Sequence, residues 1–439
     1  MELSRAGLAD IYRVYQEHPR VIIDSRKAEP GTLFFALRGN TDGNQYAAGA
    51  LEAGASYAVV DDPGIVSPAD GRYLLVEDTL QCLQQLAALH RNGFRMPVLA
   101  ITGSNGKTTT KELVTAVMAR QYRVHATPGN YNNHIGLPLT ILSMPPGAEL
   151  LILEMGANHQ GEIAELCTIG KPTHGIITNV GDAHLEGFGG KQGVIKGKGE
   201  LYDFLAATGG VAFVNTDEEH LAEMARSVKR IIPYFTSEAP SPLVPGLEIK
   251  TLGVQPQISV EFLVAGEPAM ARTQLGGVHN LQNIKTAIAV GKYFKVPGAE
   301  IVAGLEGYRP ANHRSQWLDH RGVRFYWDAY NANPSSVLAS LNSFAADNEP
   351  ADSVVLLGEM LELGTESPAA HRRVVLRSGQ VARTVLLVGE EMRDAARELG
   401  RPHFPDVDAL GAWFWEQDWT GKKVFVKGSR GNKLERLLA

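Results

Sequence analysis

Brief apolar runs alternate, from about residue 19 onward, with longer stretches whose apolar positions recur at helical spacing. The runs predict buried strands and the stretches predict helices packed on them, so the chain reads as α/β. In the first part, runs at Val21–Ile23, Leu33–Leu37, Tyr57–Val60 and Tyr73–Val76 alternate with helical stretches at Ala47–Ala53 and Thr79–Asn92. Gly93 and Pro97 then bracket a crossing into the next part. Strands predicted at Val98–Ile101, Leu150–Leu153, Gly175–Thr178 and Val211–Val214 have the spacing of a mostly parallel sheet covered by helices. Leu247–Thr251, Gln257–Val264 and Ala269–Gln274 instead alternate like antiparallel strands, with a turn at Gly266-Glu267-Pro268. Helices are expected over about His279–Phe294 and Gly298–Gly304. A third part opens near Tyr308, with strands at Val323–Trp327, Ser353–Leu357, Thr384–Val388 and Lys423–Val426 between helices.

The stretch Val98–Glu112 joins an apolar strand, a glycine turn and a helix start. Gly103 and Gly106 let the backbone curl with its amides inward around Ser104 and Asn105, Lys107 adds a point charge, and the helix beginning at Thr108 and Thr109 presents its positive end. A polyphosphate fits such a cradle, and Thr108 stands where a loop hydroxyl holds Mg²⁺. Ile101 occupies the place of the first glycine of the usual P-loop, so the pattern is GxxGKTT. A generic GTPase or kinase is thereby disfavoured.

These elements predict three domains: a small N-terminal α/β domain over 1–95, a central P-loop domain over 96–308 with a mostly parallel sheet and a small antiparallel appendage, and a C-terminal Rossmann-like α/β domain over 309–439. A nucleotide loop beside a boundary suggests a cleft that closes on substrate.

Charge changes the picture only by exclusion. A net charge of -6 and a pI near 6.1 argue against a nucleic-acid-binding surface. Cys82 and Cys167 form no disulfide framework or metal spacing, the N-terminus carries charges where a signal peptide is apolar, and no run approaches a membrane span. A soluble cytoplasmic protein, taken as a monomer, is expected.

Further candidates stand at other strand ends, where ligands bind in such sheets. Leu150–Glu154 ends in Glu154, either a Mg²⁺ ligand or a loop carboxylate. Asp182 and His184 follow the next strand, on the same rim as the P-loop. Lys196 and Lys198 precede an apolar helical face and, taken bare, are a solvated pair. In Gly276–Asn283, Asn280 either matches the adenine edge or caps a helix. Asp328 closes a strand, to hold a ribose or orient the domain, and Asn333-Pro334 has the form of an N-cap and first helical residue. Arg314 is placed to clamp a γ-phosphate, while Lys427 and Arg430 face an anion or form surface salt bridges.

Together these pieces resemble the Mur ligase family, the ATP-dependent amide-forming enzymes of peptidoglycan synthesis, over nearly the whole chain. Thr127–Pro138, Glu154–Asn158, His184–Gly189, Asp328–Pro334 and Lys427–Arg430 are most similar to the member that joins D-alanyl-D-alanine to UDP-N-acetylmuramoyl-tripeptide through an acyl phosphate. Asp24–Arg26, Pro30–Gly39 and Asp42-Gly43 resemble the part that holds the UDP end, although Ile23 stands where relatives often have Thr. The resemblance implies ATP contacts from Gly103 through Thr109 and at Asn280, Asn283, Arg314 and Asp328. It implies substrate contacts at Ser25, Arg26, Asn132, Asn133, Lys427 and Arg430. It also implies two Mg²⁺ ions, one on Thr108 and Glu154, the other on His184 and a carbamylated Lys198, whose oxygens suit a hard cation that an ammonium would repel. Lys107, Arg314, His184 and Lys198 would then carry the catalysis. The rivals are the relative that adds the third amino acid, folylpolyglutamate synthase, and a P-loop switch without transfer chemistry. Asn130–His134 and Asp328–Pro334 argue against the first two, and the carboxylate, His and Lys at successive strand ends against the third.

Overall fold

The computed structural model describes residues 5–236, 246–254, 257–310 and 316–438. Its strands form three sheets, mixed parallel and antiparallel, in an α/β architecture. The chain divides into two compact units, one made of Met1–Ala100, Tyr122–Gly156 and Gly161–His174, the other of Ile101–Gln121, Ala157–Gln160 and Gly175–Ala439. The boundary falls inside the P-loop strand, Val98–Thr102.

In the first unit, Arg20–Ile22, Thr32–Phe35, Tyr57–Val60 and Tyr73–Leu75 lie in that spatial order as a parallel sheet. Its core holds Phe34, Ala58 and Val60 against Leu51 of the helix Ala47–Glu52. The helix Thr79–Asn92 is capped by Asp78, whose carboxylate accepts from the Gln81 amide. The same unit pairs Val124–Ala126 with Leu150–Glu154 in parallel. All five residues of Leu150–Glu154 are buried, and each fully buried Leu or Ile stabilises the fold by about 1.5–3 kcal/mol.

In the second unit, Val211–Asn215, Arg230–Thr236 and Leu247–Gly253 are parallel neighbours. Ser259–Val264 and Glu267–Arg272 continue antiparallel, which is the appendage predicted. Its turn lies one step earlier than expected. Val264 pairs with Glu267, so Ala265 and Gly266, both at positive φ, form the two-residue loop and Pro268 sits in the outermost strand. Proline is tolerated there because an edge strand has an unpaired side. The strand Arg230–Thr236 was not predicted, since Pro233 interrupts it. The last sheet is ordered Gln316–His320, Val323–Trp327, Lys423–Lys427, Ser353–Gly358, Thr384–Val388 and His403–Phe404, antiparallel only at its first pair. The helices Pro334–Ala346 and Ser367–Val381 cover one face around Phe344, Val374 and Phe425. No described helix is long and apolar enough to cross a membrane.

Candidate active site

The P-loop belongs to the second unit from Ile101 onward. Ile101 is fully buried in the strand, which continues through Thr102, so the turn begins only at Gly103. Gly103 has φ +136°, and a Cβ there would overlap the Thr178 hydroxyl and lie 2.9 Å from the Thr178 nitrogen. Gly106, at φ +78°, caps the helix Lys107–Met118, and a Cβ there would come within 2.5 Å of Asn283 Oδ1. The loop is thus pressed between a strand end and the helix Val278–Tyr293.

Hydrogen bonds fix it further. Ser104 N and Asn105 N donate to the backbone and side-chain oxygens of Asn179, both at 3.0 Å. Thr178 Oγ1 donates to Asn105 O at 2.6 Å, and Lys107 Nζ donates to Gly103 O at 2.7 Å and Ser104 O at 3.2 Å. Thr108 and Thr109 are buried in the first turn of the helix. Asn283 Oδ1 accepts from Thr110 Oγ1, its Nδ2 donates to Asn280 Oδ1, and Asn280 Nδ2 donates to Gly276 O. Asn283 therefore ties the helix Val278–Tyr293 to the first turn of the P-loop helix, and Asn280 is linked to Asn283.

His184 and Lys198 lie on the same unit. His184 is in the left-handed region at φ +54°, and its Nδ1 is in close contact with a carboxylate oxygen of Glu362. Burial pushes its pKa below the usual imidazole value; Glu362 opposes this, and the charges of Lys107 and Lys198 reinforce it. Both ammonium groups thus act on the imidazole through space. Lys198 is 1 % exposed, its Nζ donating to Ala157 O at 3.1 Å and lying 4.9 Å from the Phe188 ring centre. The position depends on glycine. A Cβ on Gly193 would overlap the Phe188 carbonyl and one on Gly197 the edge of its ring, so the helix Lys191–Thr208 packs directly on Leu185–Phe188.

A cavity of about 200 Å³ borders His184, Glu362, Asn331, Asn333, Ser429 and Arg430. The Arg430 guanidinium lies 5.7 Å from the Tyr330 ring centre. Lys427 is buried and donates to Asp328 Oδ2 at 2.5 Å and to Asn331 O at 3.2 Å. Burial pushes the Asp328 carboxyl up, but Lys427 and His279 pull it down, leaving it below its ordinary value. Asp328 and Lys427 thus fasten the loop before Asn333, which caps Pro334–Ala346 as its sequence suggested, and the structure adds a reciprocal box with Ser336. Arg314 lies outside the described residues.

In the first unit, Glu154 is 1 % exposed; its nitrogen donates to Thr127 Oγ1 at 2.9 Å and its Oε1 accepts from Asn132 Nδ2 at 2.8 Å. Asn132 therefore aims the carboxylate, while Asn133 Oδ1 takes the Gly136 amide at the start of Gly136–Leu142. Ser25 and Arg26 form a short 3₁₀ turn. Arg26 makes two 2.8 Å bonds to Asp24, which hold the Asp24 carboxyl down to about 2.

Sequence reasoning missed Asn179 and Glu362. Asn179 follows directly on a predicted strand end, a signal that was available; Glu362 sits in an irregular loop with none. Among the described residues no three His, Cys, Asp or Glu side chains cluster as a metal site.

Three family models match in sequence: "Mur ligase family, catalytic domain" over residues 20–91, "Mur ligase middle domain" over 101–291 and "Mur ligase, glutamate ligase domain" over 313–430. The chain belongs to the Mur ligase family. Within it, the chain is 33% identical over 429 residues to the UDP-N-acetylmuramoyl-tripeptide--D-alanyl-D-alanine ligase of Bacillus subtilis, covering 95% of this chain and 92% of that one. Among solved structures, a MurF from Acinetobacter baumannii superposes with TM-score 0.86 at 28% identity, covering 100% of this chain and 98% of the other. The MurF of Thermotoga maritima in complex with ADP gives 0.81 at 26%, covering 95% and 96%.

Proposed function

We propose that this chain is an ATP-dependent ligase that joins D-alanyl-D-alanine to UDP-N-acetylmuramoyl-tripeptide, releasing ADP and phosphate. The observation that carries the reading is the glycine-lined phosphate loop ending in Lys107, whose charge, like that of buried Lys198, acts on His184. The curated relatives of nearly the same length supply the substrate pair. Residues 1–95 are assigned to the UDP-sugar end, 96–308 to ATP and 309–439 to the last domain. The enzyme acts in the cytoplasm as a monomer.

The peptide carboxylate attacks the γ-phosphate of ATP, ADP leaves, and the dipeptide amine displaces phosphate from the resulting acyl phosphate. Bringing two anions together is the barrier to the first step. Lys107 and Arg314 offset that charge, the loop from Gly103 to Thr109 seats the phosphates, and Asn280, Asn283 and Asp328 support the nucleotide end. Ser25 and Arg26 serve the UDP end, and Asn132, Asn133, Lys427 and Arg430 the peptide substrates. Thr108 with Glu154, and His184 with carbamylated Lys198, would hold two Mg²⁺ ions, which when bound screen phosphate charge. The donor set fits a hard cation: a hydroxyl, a carboxylate aimed by Asn132, and an imidazole that burial favours in its neutral, ligating form.

The test is ADP release in the presence of UDP-muramyl-tripeptide and ATP, with D-Ala-D-Ala set against meso-diaminopimelate, lysine and glutamate. Turnover with the dipeptide alone is expected. Turnover with a single amino acid, or hydrolysis independent of any acceptor, overturns the assignment.

A further inference from the structure

Asn105 stands in the nucleotide loop, yet its side chain turns to the last domain. Its Nδ2 donates to Ser335 Oγ at 3.1 Å, and its Oδ1 accepts from Asn333 Nδ2 at 2.8 Å. Ser335 Oγ in turn donates to Asn333 Oδ1 at 2.9 Å. Together with the bonds from Thr178 and Asn179 to its backbone, every polar atom of Asn105 is engaged. The approach is close enough that a Cβ on Gly181 would lie 2.7 Å from Ser335 Oγ and 2.9 Å from Asn105 Nδ2.

We propose that Ser335 is a positioning residue for nucleotide binding: acting through Asn105, the first turn of Pro334–Ala346 sets the shape of the phosphate loop. The inference rests on the reading of that loop as the ATP site. Losing the Asn105 anchor frees a loop whose amides must point inward together, so the cost falls on nucleotide affinity. UDP-substrate affinity is left alone. Asn333 is a poor probe because it also caps the helix, accepting from Ser336 N. Ser335 and its neighbour Ser336 separate the two roles, since Ser336 Oγ bonds only the Asn333 backbone among the contacts described.

The experiment measures binding of Mg·ADP and Mg·AMP-PCP by calorimetry to the full chain and to Ser335→Ala and Ser336→Ala, with KM for ATP and for UDP-muramyl-tripeptide alongside. Ser335 Oγ also accepts from Asp182 N at 3.4 Å, but of its three hydrogen bonds it is the one to Asn105 that bears on the loop. Ser335→Ala is therefore expected to weaken nucleotide binding and raise KM for ATP roughly three- to tenfold, with KM for the UDP substrate unchanged. Ser336→Ala is expected to lower Tm while nucleotide binding stays at the wild-type level. Nucleotide affinity within twofold of wild type in Ser335→Ala, or an equal loss in Ser336→Ala, overturns the proposal. A wild-type chain that binds nucleotide but does not ligate the dipeptide would fail the functional reading alone, because the binding comparison remains decisive.

Discussion

Replacing Gly103 by alanine puts a methyl group where the loop touches the end of the neighbouring strand. The φ of +136° is a conformation that costs an L-residue roughly 1–3 kcal/mol. The methyl also overlaps the Thr178 hydroxyl, which must rotate and lose its 2.6 Å bond to Asn105 O, about 1 kcal/mol more. The Thr178 nitrogen, 2.9 Å away, has no such freedom, because it donates to Thr102 O within the sheet. The loop must therefore move. A sum of about 2–4 kcal/mol, taken up by the loop, corresponds to a loss of roughly 30- to 1000-fold in affinity for Mg·AMP-PCP. Gly209 is the control: its φ is +74° but a Cβ there meets nothing within 4 Å. Gly209→Ala is expected to lower Tm slightly and leave nucleotide binding intact. Calorimetric titration of both variants, with Tm measured in parallel, decides the matter. If Gly103→Ala binds within threefold of wild type, or Gly209→Ala loses as much affinity, the steric argument is wrong.

Two further outcomes are expected. Lys198→Ala should abolish ligation while bicarbonate or short carboxylates partly restore it, since they return oxygens to the place of the carbamate; wild-type turnover by that variant, measured as ADP release, would remove the carbamate proposal. His371 is fully buried, its Nε2 accepting from Met360 N at 2.9 Å and its Nδ1 meeting Ser367 O at 2.8 Å, an arrangement that needs the neutral ring. Burial lowers its pKa in the folded state, so below the unfolded value of about 6.5 the unfolded chain binds more protons and stability falls with pH. His371→Leu should therefore cost about 1–3 kcal/mol at pH 8, by orphaning the Met360 amide, and measurably less at pH 5.5. A gap between the two denaturation midpoints that does not change with pH would contradict this.

What the residue pattern made legible was local. The strand at Val98, the glycine turn and the helix at Lys107 declare themselves by periodicity and by residues with one use each, and the Asn333-Pro334 helix start is likewise a matter of adjacent residues. The strand Arg230–Thr236 was lost because Pro233 lowers its local signal while flanking strands on both sides hold it in place. The misplaced appendage turn has the same origin: Gly266-Glu267-Pro268 looks like a turn, but the pairing of Val264 with Glu267 requires Ala265 to bend instead.

The site shows the other limit. The loop and the resemblance imply nucleotide contacts at Asn105, Asn280 and Asn283, with a helix cap left open for Asn280, and an amide is a versatile ligand. An amide is equally a versatile brace, and which role a given asparagine takes depends on groups far along the chain. Asn105 meets its partners 228 and 230 residues away, and Thr110 meets Asn283 across 173. Lys427 and Asp328 pair across 99 residues and leave Arg430, the more exposed cation, bordering the cavity with His184. Residue type narrows the chemistry a position can perform, whereas its direction is fixed by packing that no short window contains. The same reasoning applies to the lysines: residue type alone leaves Lys196 and Lys198 alike, only the resemblance singled out Lys198, and its burial over Phe188 follows because Gly193 and Gly197 allow one helix to touch another.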